Sequence, residues 1–60
     1  MILFTDAETG NEVYINPDCV KMVRDFRNVT KIMFLDDAYV IVTDTLKVTI
    51  EKMVKKPVKS

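Results

Sequence analysis

The sequence predicts a mainly β, α+β domain: about five short antiparallel strands in a small curled sheet or barrel, then one C-terminal helix. Three observations carry that prediction. Short apolar runs, several of them alternating with a period of two, are punctuated by turn residues every few positions. The apolar spacing becomes helical after position 44. The chain has 60 residues, 48% of them hydrophobic, which allows one small core and no second domain.

Met1–Thr5 reads as a strand, apolar on both faces. Asp6–Asn11 is a turn; it holds the only glycine, Gly10, and Thr9-Gly10-Asn11 is good hairpin chemistry. Glu12–Asn16 alternates polar and apolar as a half-buried strand does. Asn16-Pro17-Asp18 breaks it, because proline fixes φ and cannot donate to a ladder.

Cys19–Phe26 is the third strand, with Val20, Met22 and Phe26 expected on one face and Lys21, Val23 and Asp25 on the other. After a turn at Arg27-Asn28, Thr30–Leu35 is the fourth, placing Ile32 and Phe34 opposite Met33 and Leu35. Asp36-Asp37 reverses the chain into Tyr39–Thr43, the most β-prone run. Asp44 or Thr45 can then cap a helix whose apolar stripe is Leu46, Ile50, Met53 and Val54, ending at Pro57. Val48-Thr49-Ile50 could alternatively extend the sheet. Positions 1–56 form the single domain, and 57–60 a frayed basic tail.

A domain this small buries only about 60% of its unfolded surface, so it needs a staple, a dense core or a partner. One cysteine makes no internal disulfide, and the absence of histidine argues against a metal site or a cofactor. Several strands are apolar on both faces, while a small sheet with one helix covers only one. A homo-oligomer, dimer or higher, is therefore expected, associating through Val23, Met33, Leu35, Val40 and Val42.

The formal net charge is zero, yet it is unevenly spread. Up to Asp44 the chain is net −4; from Thr45 onward it is net +4. Arg24, Arg27 and Lys31 beside a hairpin turn, and Lys52, Lys55 and Lys56 toward the helix end, are candidate contacts for an anion or a partner. Solvated turn and helix-end residues are the plainer reading of both groups. No aromatic accompanies the helix lysines to stack bases, so a protein partner is favoured over RNA.

Catalysis is poorly provided for. There is no histidine base, no phosphate-cradling glycine loop and no metal-ligand spacing. Asp36-Asp37 suits a turn for backbone reasons, and Cys19 reads as a buried structural thiol. No catalytic residue is expected. The opening Met1-Ile2-Leu3-Phe4 is neither a basic leader nor a membrane span, and a cytoplasmic protein is expected.

Tyr14-Ile15-Asn16-Pro17-Asp18, the apolar Val20, Thr30–Phe34 before an acidic turn, Tyr39-Val40-Ile41-Val42, and Ile50 with Met53 together resemble the small FlbD/SwrD-type flagellar and swarming-motility proteins. The likeness spans nearly the whole chain. Asp37-Ala38 stands where that pattern has a turn glycine. The resemblance implies an accessory role in bacterial motility with no agreed chemistry, and transfers no catalytic residue.

Met1-Ile2-Leu3-Phe4-Thr5 and Val40-Ile41-Val42 are also similar to the first and last strands of the carbon storage regulator CsrA. That family binds RNA as a homodimer, with basic residues after the first strand and at the end of the fifth. Asp6, Ala7 and Asp44 occupy those places here, and the acidic groups would repel phosphate. The leading expectation is a non-enzymatic, homo-oligomeric binding module. CsrA-like RNA binding follows it, and then sequestration of a small anionic ligand through Arg24, Arg27 and Lys31.

Overall fold

In the computed structural model, residues 1–54 are described; Lys55, Lys56 and the expected tail 57–60 lie outside the described residues. The elements in chain order are β1 (Ile2–Thr5), β2 (Glu12–Ile15), a 3-10 turn (Pro17–Cys19), β3 (Val20–Phe26), β4 (Val29–Phe34), β5 (Tyr39–Val42) and α1 (Leu46–Val54). Five antiparallel strands and one C-terminal helix is the expected architecture.

The strands form a β1–β2 hairpin and a β3–β4–β5 meander. A bridge between Asp6 and Val42 joins them, with Ala7 N–H donating to the Ile41 carbonyl at 2.7 Å and Thr43 N–H to the Thr5 carbonyl at 2.9 Å. The end of β1 thus docks on β5, and the two sheets curl around one core. Phe4, Ile15, Ile32 and Val42 are its buried centre, and burying each contributes roughly 1.5–3 kcal/mol.

Each turn has a local cause. Asp6 Oδ1 accepts from the N–H groups of Glu8 (2.7 Å) and Thr9 (3.3 Å), and Gly10 takes a φ of +80°. Asn16 caps the 3-10 turn by accepting from Asp18 N–H at 2.9 Å, with Pro17 at its first position. Arg27 and Asn28 have φ of 54° and 69°, the paired positive values of a two-residue type I′ hairpin.

Two expected faces are corrected. The β3–β4 register shifts between Val20 and Met22, so a bulge places both Val20 and Val23 against the core. Met22, opposite Met33, turns to the outer face; a one-residue offset moves every later side chain of a strand to the other side. On α1 the fully buried residue is Thr49, while Ile50 (42% exposed) and Val54 (66%) face out. The expected stripe is kept in part, since Met53 packs against the core and Leu46 is half-buried. Lys52 also reaches the sheet: its Nζ lies 2.6 Å from Asp44 Oδ2, donates to the Leu3 carbonyl at 3.0 Å and sits 4.6 Å from the centre of the Phe4 ring.

Candidate functional site

The pairing fixes what the meander presents to the outside. Ile32, Val42, Thr30, Val20, Val23, Val40 and Phe34 face the core, so their alternates point away from it. Those alternates form three rows across the strands. Met22, Met33 and Tyr39 make one; Arg24, Lys31 and Ile41 the next; Phe26 and Val29 the third. A basic row therefore lies between two apolar rows, and no acidic side chain occurs among these positions.

Arg24 and Lys31 are direct cross-strand partners. Like charges in that position destabilise a sheet. Lys31 finds local compensation, its ammonium lying 4.4 Å from the centre of the Tyr39 ring. Phe26 is 49% exposed and Tyr39 55%. At the turn beside Phe26, Arg27 is exposed on a left-handed backbone that disfavours residues other than glycine and asparagine.

A second surface lies on the helix side. Pro17, Val20, Val23, Ile50, Met53 and Val54 line an open, largely apolar groove of about 420 Å³, with Asp18 and the edge residue Met22 at its margin. Its exposed rim is aliphatic, and it is separate from the basic row.

The residues expected to form the association surface do not share one. Val42 is completely buried within the chain, and Val23 and Val40 pack against the core, because each points inward in the observed register. Met33 belongs to the outer face, and Leu35, 65% exposed, sits in the β4–β5 turn. Arg24, Arg27 and Lys31 do come together at the β3–β4 hairpin. Lys52 is engaged within the chain by Asp44, the Leu3 carbonyl and Phe4.

Cys19 is exposed rather than a buried structural thiol, because it ends the 3-10 turn before β3 begins; it borders a hollow with Phe34, Leu35 and Asp36. No cluster able to hold a metal occurs among the described residues. Phe26, flanked by Arg24 and Arg27, is legible in the sequence as part of that cluster, whereas Tyr39 and Ile41 as surface residues are not. The two-residue Arg27-Asn28 turn was the available signal, since it fixes the Phe26–Val29 pair and hence the Arg24–Lys31 row.

Comparison with known proteins gives no matching family model, curated protein or solved structure. The geometry alone defines the class: a small β-meander domain with a packed helix, an open apolar groove and a mixed apolar and basic sheet face.

Proposed function

We propose that this chain is a non-enzymatic binding module that works as a homo-oligomer, with the groove between the 3-10 turn, β3 and α1 as the self-association surface. The observation that carries the reading is the imbalance of burial. Only four apolar residues are fully buried among the described residues, while Ile50 and Val54 stand exposed along one groove. A chain of this size gains most by covering such a surface with a second copy.

The outer sheet face is less suited to symmetric pairing. Two copies meeting face to face about an axis through the basic row would appose Arg24 and Lys31 with their own equivalents. The groove has no such conflict.

The likeness to FlbD/SwrD-type proteins makes a motility accessory the biological setting we favour. Its most distinctive step, Asn16-Pro17-Asp18, has a backbone explanation as a capped 3-10 turn, so the step itself identifies no shared partner.

Thermal unfolding over a range of protein concentrations tests the reading. An oligomer melts at a higher midpoint as concentration rises, and Ile50→Glu with Val54→Glu removes that dependence while keeping the β-rich circular dichroism. A midpoint independent of concentration in the unmodified chain overturns it.

A further inference from the structure

We infer that the outer face of β3–β4–β5 is a docking surface for a protein segment carrying acidic side chains between apolar ones, its carboxylates seated on Arg24 and Lys31. This goes beyond self-association and uses a different face of the molecule.

The occupant follows from charge and from proportion. Arg24 and Lys31 form a band with no acidic counterpart on the face, and their mutual repulsion is relieved when a carboxylate sits between them. Apolar rows flank the band on both sides: Met22, Met33 and Tyr39 on one, Phe26 and Val29 on the other. A segment with the pattern apolar–acidic–apolar meets all three rows at once. Methionines that adapt their shape and half-exposed aromatics suit an apolar ligand surface.

A nucleic acid is the less favoured occupant. A duplex carries one phosphate per strand for about every 3.4 Å of helix axis, so affinity depends on many neutralising contacts. Here two cations in the band, with Arg27 at the turn, would meet that charge. Five of the eight outward residues, Met22, Met33, Ile41, Phe26 and Val29, have no polar side-chain group to offer a phosphate.

The test is selection from a phage-displayed random peptide library on the immobilised full chain. Enriched peptides are expected to carry Asp or Glu between apolar residues. The affinity of the best one should fall about tenfold for Arg24→Glu or Lys31→Glu, the scale of one lost charge-assisted contact, and hold for Arg24→Lys. Amide shifts on titrating that peptide should concentrate in β3, β4 and β5. No enrichment, enriched peptides without acids, affinity unchanged in both charge reversals, or displacement of the peptide by labelled oligo-dT would each overturn the proposal. Arg24→Glu replaces a like-charge pair with an attractive one, so loss of binding there is not loss of fold. Dimer formation through the groove can fail without altering any of these readouts.

Discussion

Arg24 and Lys31 stand directly opposite each other across the β3–β4 ladder, cation against cation, with Lys31 drawn to the Tyr39 ring at 4.4 Å. A sheet gains from opposite charges in that position and loses from like ones. The arrangement therefore carries a small cost in the free chain, and removing it should be visible. Arg24→Glu is expected to stabilise the protein by about 0.5 kcal/mol. At fixed protein concentration the urea midpoint should rise with an unchanged slope, and a lowered midpoint would count against the register.

Two buried threonines make opposite predictions. Thr30 Oγ1 donates to the Asp44 carbonyl at 2.9 Å and ties β4 to the start of the helix. Thr30→Val keeps the shape, removes the donor and should cost about 1–2 kcal/mol. Thr49 Oγ1 is buried without a hydrogen-bond partner among the described residues. Thr49→Val should stabilise by about 1 kcal/mol, because the desolvated hydroxyl is removed and the β-branch stays. Paired denaturant titrations would separate the two, and a loss on Thr49→Val would mean that the hydroxyl has a partner.

Lys52 fastens α1 to the sheet. Lys52→Met retains most of the stem and loses the ion pair to Asp44 and the hydrogen bond to the Leu3 carbonyl, at an expected cost of about 1–2 kcal/mol. Part of that difference should vanish in high salt, because the pair is partly exposed. Equal melting points for the two proteins at low salt would contradict the clamp.

Arg27 occupies a left-handed conformation, φ 54°, at the first position of its hairpin turn. Glycine adopts that conformation freely, so Arg27→Gly should stabilise by about 0.5 kcal/mol after its greater freedom in the unfolded chain is subtracted. A calorimetric scan reading a lower midpoint would contradict the turn type.

The number and order of elements were legible in the sequence because turn chemistry is local. Asp6, Asn16-Pro17 and Arg27-Asn28 each determine their turn through their own backbone or side chain. What could not be read was set by tertiary packing. The bulge at Val20–Met22 exchanges the faces of β3, and no local pattern announces it. On α1 Met53 packs against the core as apolar spacing implies, but Thr49 is buried and Ile50 exposed, which the spacing does not indicate. Consequently the cations of the hairpin, Arg24, Arg27 and Lys31, are legible together in the sequence, whereas the expected association surface includes Val42, which the fold buries completely.

The molar mass of the purified chain in solution, measured by light scattering across micromolar concentrations, tests the central claim most directly. The expected value is an integer multiple of the 6.9 kDa chain mass, at least twofold, falling to one chain for the variant carrying Ile50→Glu and Val54→Glu. A mass of a single chain throughout that range would contradict it.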